Sequence, residues 1–255
     1  MLLRLFDYWA IVYLRTWKGS VITSFVTPLL YVVAMGVVLG GFIKADPARL
    51  DGATTYLAFV APGLVAAQSM QAVFGECTYP VMGMIKWHKS YFGMIATPLR
   101  VRDVMAGHLS FVVFRVAITA AVFLAVLSAF GVFASPAGVV AAFFVQLLVG
   151  LAFATPVYAL SAGLKDESAF SLIYRLGLIP LFLFSGAFFP ITNLGSVLAT
   201  IARFTPLWHG VDLTRMLTLG TFAPGWAVVH IAYLAVMAAL GWWWGVRRLS
   251  RRLVS

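Results

Sequence analysis

Residues that could perform acid–base or nucleophilic chemistry are few and widely separated in this sequence. Four histidines are scattered along the chain: His88, His108, His209 and His230. None belongs to an H-E-x-x-H metal motif, and no G-x-x-x-x-G-K-[ST] loop is present to hold ATP phosphates. We therefore expect no catalytic, metal or cofactor site on this chain.

One nucleophilic arrangement remains to be weighed, a serine–histidine pair of the kind used by intramembrane proteases. Ser185, followed by Gly186, would be the nucleophile and His230 its base. The tetrapeptide ending at Gly186 lacks the leading glycine of the usual G-x-S-G motif. The alternative is structural: Ser185 and Gly186 loosen the end of a helix, and His230 forms a hydrogen bond inside the protein.

Three charged residues lie in otherwise apolar segments: Glu76, Arg115 and Arg175. A charge at the centre of a membrane costs at least about 2.5 kcal/mol on insertion scales. Arg115 either extends to the headgroups or pairs with Glu76, the one acid at similar depth, and the sequence predicts this pair near an inner gate. Gln68 and Gln71 either line a pathway or bind neighbouring helices together.

The elements that position these residues are apolar helices. Hydrophobic residues make up 62% of the chain and charged residues 10%, against roughly 25% charged in a soluble domain. Five stretches carry no charge: Val21–Ile43, Gly52–Gly75, Val116–Leu164, Leu176–Ala202 and Met216–Val246. A membrane crossing takes about 20 apolar helical residues. The third stretch is long enough for two crossings, so the sequence predicts six spans.

The predicted fold is an all-α polytopic membrane protein with one domain over 1–255, since continuous apolar runs are not those of a β-barrel. The predicted spans are 20–43, 54–77, 107–130, 137–163, 169–189 and 225–246. Residues 1–18 show one apolar stripe at helical spacing, which favours an interfacial helix over a cytosolic extension of the first span.

Positive charge is distributed asymmetrically between the predicted loops. Placing the N-terminus in the cytoplasm leaves four basic residues outside: Lys44, Arg49, Arg203 and Arg215. The other fourteen of the 18 (18 − 4 = 14) then lie at or near the inner side, as the positive-inside rule requires. Both termini are therefore predicted to be cytoplasmic. The net charge of +10 indicates contact with anionic lipids rather than nucleic acid.

Two segments between the spans are predicted to form short helices. Residues 84–95 should lie across the inner membrane surface, before a helix that starts at Thr97-Pro98. Residues 190–224 are mostly apolar and contain two helical pieces, neither of which is long enough to span, so they predict two re-entrant half-helices at the outer side. The second begins at Thr205-Pro206, and Asp212 and Arg215 are expected to pair within it at i,i+3.

Four segments carry a recognisable pattern. They are Phe182-Leu-Phe-Ser-Gly-Ala-Phe-Phe-Pro190, Thr205-Pro-Leu-Trp-His-Gly-Val-Asp-Leu-Thr-Arg215 with Leu219-Gly220, Tyr56-Leu-Ala-Phe-Val-Ala-Pro-Gly63, and Thr97-Pro-Leu-Arg100. Together they resemble the permease subunits of ABC-2 type exporters, especially the nodulation-factor and antibiotic-resistance branch. The segment after Pro190 departs from the pattern, because Gly195 stands near the place of a second proline.

The resemblance implies a coupling helix that touches a separate ATP-binding subunit. By position its residues would be Lys86, Trp87, His88, Lys89, Tyr91 and Phe92. Two permeases, here expected as a homodimer, and two P-loop ATPases would form the transporter. ATP and Mg would then be bound by the partner, with no cofactor on this chain.

The resemblance also implies ATP-driven export across the bacterial inner membrane. The cargo would be amphipathic: a lipid-linked saccharide, a glycolipid or a hydrophobic drug. The candidate pathway residues are Gln68, Gln71, Phe182, Ser185 and Phe188, and the candidate outer half-helix residues are His209, Asp212 and Arg215. A polysaccharide-export permease of the same superfamily, the intramembrane protease and a passive channel are the alternatives.

Overall fold

A computed structural model describes residues 2–40, 42 and 50–254, with the side chains of 2–4, 12, 15–24 and 37 excepted. Within these residues the chain is helical and no strand occurs. The α-helices are α1 (Leu2–Tyr31), α2 (Tyr56–Cys77), α3 (Tyr79–Met82), α4 (Ser90–Ile95), α5 (Val101–Ala129), α6 (Pro136–Gly163), α7 (Ser168–Leu172), α8 (Ile179–Phe184), α9 (Gly195–Arg203), α10 (Pro206–Leu219) and α11 (Pro224–Leu253). Three segments of the described chain are π-helical. Val32–Leu39 extends α1, Gly83–Trp87 extends α3, and Ile173–Leu178 joins α7 to α8.

Within the described residues, four helices are long and apolar enough to cross a membrane by length and composition. They are Tyr56–Trp87, Val101–Ala129, Pro136–Gly163 and Pro224–Leu253. Shorter apolar helices, Phe25–Gly36 and Ser168–Phe184, lie at the first and fifth predicted spans. The helical fold is therefore as predicted, while the count of six spans stays a prediction.

The N-terminal region differs from the prediction of two separate helices. Helix α1 runs without a break from Leu2 to Tyr31 and continues as π-helix to Leu39, so residues 2–18 of the predicted interfacial helix 1–18 are not separated from the first span. A single glycine at Gly19 costs a helix only about 1 kcal/mol, which is too little to end it. The last residues of that span, 41 and 43, lie outside the described part of the chain.

Helix α2 is the most enclosed of the long helices. In its most apolar window 78% of the residues are buried, against 28% in α11. Small residues on α2 allow this close approach, since lipid supplies little hydrophobic driving force and packing decides helix association. A Cβ at Gly63 would stand 2.5 Å from the Cα of Ala187. Helix α11, by contrast, presents an apolar face to the surroundings.

Helix starts follow local capping chemistry. Thr205 accepts a hydrogen bond from the N–H of Trp208, and Ser135 accepts one from the N–H of Gly138, each just before a proline at the first helical position. The predicted start at Thr97 is wrong: α5 begins at Val101, where the Asp103 carboxylate accepts from the N–H of Arg100 at 3.0 Å. A carboxylate in the first turn decides this boundary.

The segment between α8 and α11 contains the two predicted short helices, α9 and α10, preceded by a 3₁₀ turn over Ile191–Leu194. Their re-entrant position in a membrane stays a prediction. The preceding helix ends at Phe184, five residues before the predicted end of span 5. Gly186, with a φ of 79°, adopts the left-handed conformation that glycine allows at no steric cost.

The contact between α11 and α6 gives the first prediction. A Cβ at Gly241 would lie 2.7 Å from the backbone nitrogen of Pro156, whereas a Cβ at Gly225 of the same helix meets nothing within 4 Å. Gly241→Ala should therefore destabilise the protein by about 1–3 kcal/mol through overpacking. Thermal unfolding in detergent measures this.

Gly225→Ala is the matched control, and it should leave the melting temperature unchanged or slightly higher, because alanine is the better helix former. Equal melting temperatures for the two variants would contradict the described packing of α11 on α6.

Candidate coupling segment and gating contacts

The predicted coupling helix over 84–95 is interrupted in the structure. A π-helical turn ends at Trp87, and α4 begins at Ser90. Lys89, between them, has a φ of 53°, a left-handed conformation that a non-glycine residue rarely adopts. The single helix is therefore corrected to two helical pieces with a corner at Lys89.

Most predicted coupling residues lie on the surface. The exposed set is Lys86, Trp87, His88, Lys89 and Phe92. Trp87 is 50% exposed, and it lies beyond the end of α3. These side chains can meet a partner without any rearrangement.

Tyr91 was predicted to face the partner, and the structure corrects this. Its side chain is fully buried, and its hydroxyl is hydrogen-bonded to Nδ1 of His108 in α5. The Trp9 ring of α1 lies on the other side of His108, with ring centroids 4.3 Å apart. Tyr91 therefore anchors α4 to α5 through the hydrogen bond to His108. Nothing in the local sequence distinguishes Tyr91 from Phe92, because the position of α5 decides which ring is covered.

A second anchor joins the coupling segment to the next loop on the same side. Lys86 Nζ donates to Glu167 Oε2 at 2.6 Å, with both side chains about 40% exposed. The hydrogen bond from Lys86 lowers the pKa of the Glu167 carboxyl below its ordinary value. The segment around Trp87 is thus fixed at Lys86 and at Tyr91, with the exposed residues between them.

The predicted ion pair between Glu76 and Arg115 is present. Arg115 Nε donates to Glu76 Oε1 at 3.0 Å, and the guanidinium carbon lies 4.6 Å from the Tyr13 ring centroid. The two side chains are 21% and 24% exposed. They line one wall of a cleft of ≈ 500 Å³ that opens toward Trp87. A role for the pair as a gate stays a prediction.

Polar side chains of α2 act as helix contacts as well as candidate pathway residues. Ser69 Oγ donates to Gln146 Oε1 at 3.0 Å, and Gln146 Nε2 donates to Thr214 Oγ1 at 2.8 Å. This fully buried chain joins α2, α6 and α10, and sequence reasoning did not find Gln146. Gln68 and Gln71 are half-buried on α2.

The other candidate pathway residues lie around the end of α8. The Phe182 and Phe188 rings meet edge to face with centroids 4.8 Å apart. Ser185 is fully buried, and its Oγ donates to the carbonyl of Phe182 at 3.3 Å. Tyr56 Oη donates to the Phe188 carbonyl at 3.0 Å, which ties this turn to the start of α2.

The serine–histidine pair of a protease is not formed. His230 Nε2 is 3.0 Å from Asp212 Oδ2, and His230 Nδ1 is 2.7 Å from His209 Nδ1. Because the carboxylate only accepts, His230 donates through Nε2 and uses Nδ1 to accept from His209. Both ring nitrogens are engaged away from Ser185. Among the described residues no group of three or more His, Cys, Asp or Glu side chains could hold a metal ion.

Arg215 joins three separate parts of the chain near the first residues of α2, at the end opposite Glu76. It is 4% exposed, and its Nη2 donates to the carbonyls of Gly186 at 2.7 Å and Phe59 at 3.4 Å. Its Nη1 is 3.3 Å from Asp51 Oδ2. The predicted pair with Asp212 is therefore wrong, since Arg215 pairs with Asp51 and Asp212 accepts from His230.

These features define a multi-pass helical membrane protein with a rigidly anchored surface segment and no assembled catalytic centre in its described residues. The model of the family described as ABC-2 type transporter matches residues 2–219. The chain therefore belongs to the ABC-2 type transporter family, as a permease subunit.

Relatives named nodulation protein J are similar along most of the chain. The protein from Rhizobium leguminosarum bv. trifolii is 29% identical over 242 residues, covering 93% of this chain and 90% of the relative. The one from Sinorhizobium fredii is also 29% identical, covering 94% and 90%. The one from Neorhizobium galegae is 26% identical and covers 97% and 94%.

The Arg215 contacts give a second prediction. Arg215→Gln removes the donor to the buried Gly186 carbonyl, and a buried carbonyl left without a partner costs about 1–3 kcal/mol. The variant should lower the melting temperature in detergent and the yield of monodisperse protein. Asp51→Asn should cost less, because Asp51 is half exposed and its charge is screened.

Arg203→Gln is the control, since Arg203 is an exposed arginine at the end of α9. A melting temperature of Arg215→Gln equal to that of Arg203→Gln would contradict a structural role for Arg215.

Proposed function

We propose that this chain is the membrane-spanning permease of an ATP-driven exporter, and that the segment around Trp87 receives the force. Two copies of the chain would form a homodimer, and two P-loop ATPase subunits would bind ATP and Mg. Hydrolysis would take place on those partners. Membership of the ABC-2 type family supports the general assignment.

One observation carries the proposal: an exposed, basic and aromatic surface is held by one buried anchor, Tyr91, and by one exposed ion pair, Lys86–Glu167. Trp87 and Lys89 are exposed, whereas Tyr91, two residues further on, is fully buried against His108. A surface that is only mobile could not transmit displacement to the helices. A surface fixed through Tyr91 to α5, and through Lys86 to Glu167, moves them when it moves.

The cargo is proposed to be amphipathic, such as a lipid-linked saccharide, a glycolipid or a hydrophobic drug. Phe182 at the end of α8 and Phe188 in the turn after it offer partly exposed aromatic surface, and Gln68 and Gln71 of α2 are half-buried polar residues. Such a mixture suits a molecule with an apolar body and a polar end. The excess of positive charge predicted at one side supports a cytoplasmic position for both termini.

ATP would drive the cycle by favouring one of two arrangements of the permease pair. A ligand shifts such an equilibrium only through different affinity for the two states. ATP must therefore bind better when the two ATPases are closed on each other. Closure would push the Trp87 segments and tilt the helices attached to them.

The third prediction tests the coupling surface. Trp87→Ala should leave the permease folded but should strongly reduce co-purification of the proposed P-loop ATPase partner, because truncation of an exposed tryptophan removes a large part of a contact. ATP-dependent uptake of fluorescent amphiphiles into inside-out vesicles, with ATP hydrolysis measured in parallel, gives the functional readout.

Trp243→Ala is the matched control, because Trp243 is 54% exposed on the apolar face of α11, away from the coupling segment. It should co-purify and transport as the parent does. Normal ATPase binding and transport by Trp87→Ala would refute the assignment of the coupling surface.

A further inference from the structure

We propose that His209 of α10 and His230 of α11 form an acid-sensitive switch, which holds the two helices together near neutral pH and releases them when both rings are protonated. The contact lies in the part of the chain that is predicted to be at the outer side, so the switch responds to the pH outside the cytoplasm. It is additional to the transport pathway and does not require the ATPase partner.

The two imidazole rings of the switch are bonded directly to each other. Their Nδ1 atoms are 2.7 Å apart, and their ring centroids are 4.9 Å apart. His209 is 5% exposed and His230 is fully buried. A hydrogen bond between two nitrogens needs one hydrogen between them, so one ring donates and the other accepts. The contact between α10 and α11 therefore depends on how many protons the two rings hold.

The geometry of the switch accepts one additional proton but not two. With both rings neutral, His209 donates through Nδ1, and His230 donates to Asp212 through Nε2. One added proton leaves this bond intact, because an imidazolium donates to a neutral imidazole. A second added proton puts a hydrogen on every ring nitrogen. Two N–H groups then face each other without an acceptor, and the two like charges disfavour each other in a buried site.

One carboxylate of the described residues is placed to balance the charge of the switch. Asp212 Oδ2 is 3.0 Å from His230 Nε2. Asp51, which lines the same cleft as Asp212, is already paired with Arg215. Arg203, also on this cleft, adds positive charge. One imidazolium is therefore balanced, and a second imidazolium has no acid left to pair with.

The neighbouring helices supply no further charge to the switch. From α11, the Tyr233 ring stacks on His209 with centroids 3.9 Å apart, and its hydroxyl donates to the carbonyl of Phe204. Helix α6 carries no charged residue, and the one acid of α2, Glu76, lies at the other end of that helix. Burial, and then the neighbouring His230, lower the pKa of His209 to about 4.

The direction of the pH dependence follows from the lowered pKa of His209. When α10 and α11 separate and water reaches the ring, His209 takes up a proton near its ordinary pKa of about 6.5. The separated state therefore binds more protons than the closed state, and the closed state loses stability as the pH falls from about 6.5 to about 4. Gln146 and Arg215 keep α10 attached to α6 and α2, so the first part of α11 is what moves away.

The fourth prediction concerns the accessibility of a thiol on α11 in the purified permease in detergent, without any ATPase. Ala227 precedes His230 by about one turn on the packed face of α11 and is 4% exposed, whereas a Cβ at Gly225 meets nothing within 4 Å. The maleimide labelling rate of Ala227→Cys, divided by that of Gly225→Cys at the same pH, should rise at least about tenfold from about pH 7.5 to about pH 4.5. The division removes the intrinsic pH dependence of the thiol. Cys77, the one native cysteine, is buried and supplies the background.

Substitutions in the switch should change this response in different ways. In His209→Gln the side-chain amide either donates to His230 or accepts from it and does not titrate, so the relative labelling rate should stay low at both pH values. Asp212→Asn removes the balancing charge, and the rise should therefore occur at higher pH. His88→Gln is the matched control, because His88 is exposed on the coupling segment, and it should respond to pH as the parent does.

Three results would overturn the proposal of a switch. The first is a relative labelling rate that does not change with pH, or that rises equally in the parent and in His209→Gln. The second is rapid labelling of His209→Gln already at neutral pH, which would show that His209 has a structural role only. The third is a loss of helix content by circular dichroism in the acidic sample, which would show general unfolding. Because no ATPase is present, failure of the coupling assignment would produce none of these results.

Discussion

A helix that ends in the buried interior of a protein must find hydrogen-bond partners there, because a buried backbone group without a partner is costly. Here the break follows α8, and Arg215 supplies the missing donor. It holds the Gly186 carbonyl and the Phe59 carbonyl together, while Tyr56 holds that of Phe188. These bonds determine the position of α9 and α10. Arg215 fixes the irregular segment on the start of α2. The buried Ser69–Gln146–Thr214 chain fixes α10 on the middle of α2 and on α6.

Features of the fold that depend only on residues adjacent in the chain could be predicted from the sequence. Thr205-Pro206 starts a helix as predicted, since a hydroxyl cap and a proline act within one turn. The corner at Lys89 was not predictable in this way. It depends on the packing of Tyr91 under α5, which propensity does not encode. Likewise, the charges within residues 2–17 suggested an interface helix, although α1 continues through them.

The ion pairs of the candidate site also divide into one that could be predicted from the sequence and one that could not. Glu76 and Arg115 could be paired from the sequence, because few charges lie at that depth and each needs a partner. Arg215 was assigned to the wrong acid, because helical spacing pointed to Asp212. Its partner Asp51 is 164 positions away in the chain. The sequence did not predict this ion pair because its two residues are far apart in the chain, and not because the interaction is weak.

Helix α2 connects the two ends of the molecule as one body. Its Phe59 carbonyl is held by Arg215, and its Glu76 carboxylate is held by Arg115; the two residues are 17 positions apart, or about 26 Å along a helix. Neighbours enclose α2 on most of its surface, and close-packed interiors change between discrete arrangements rather than deform continuously. In the proposed transport cycle, a displacement at Trp87 therefore reaches the turn at Gly186 through a tilt of α2, which must change both contacts together.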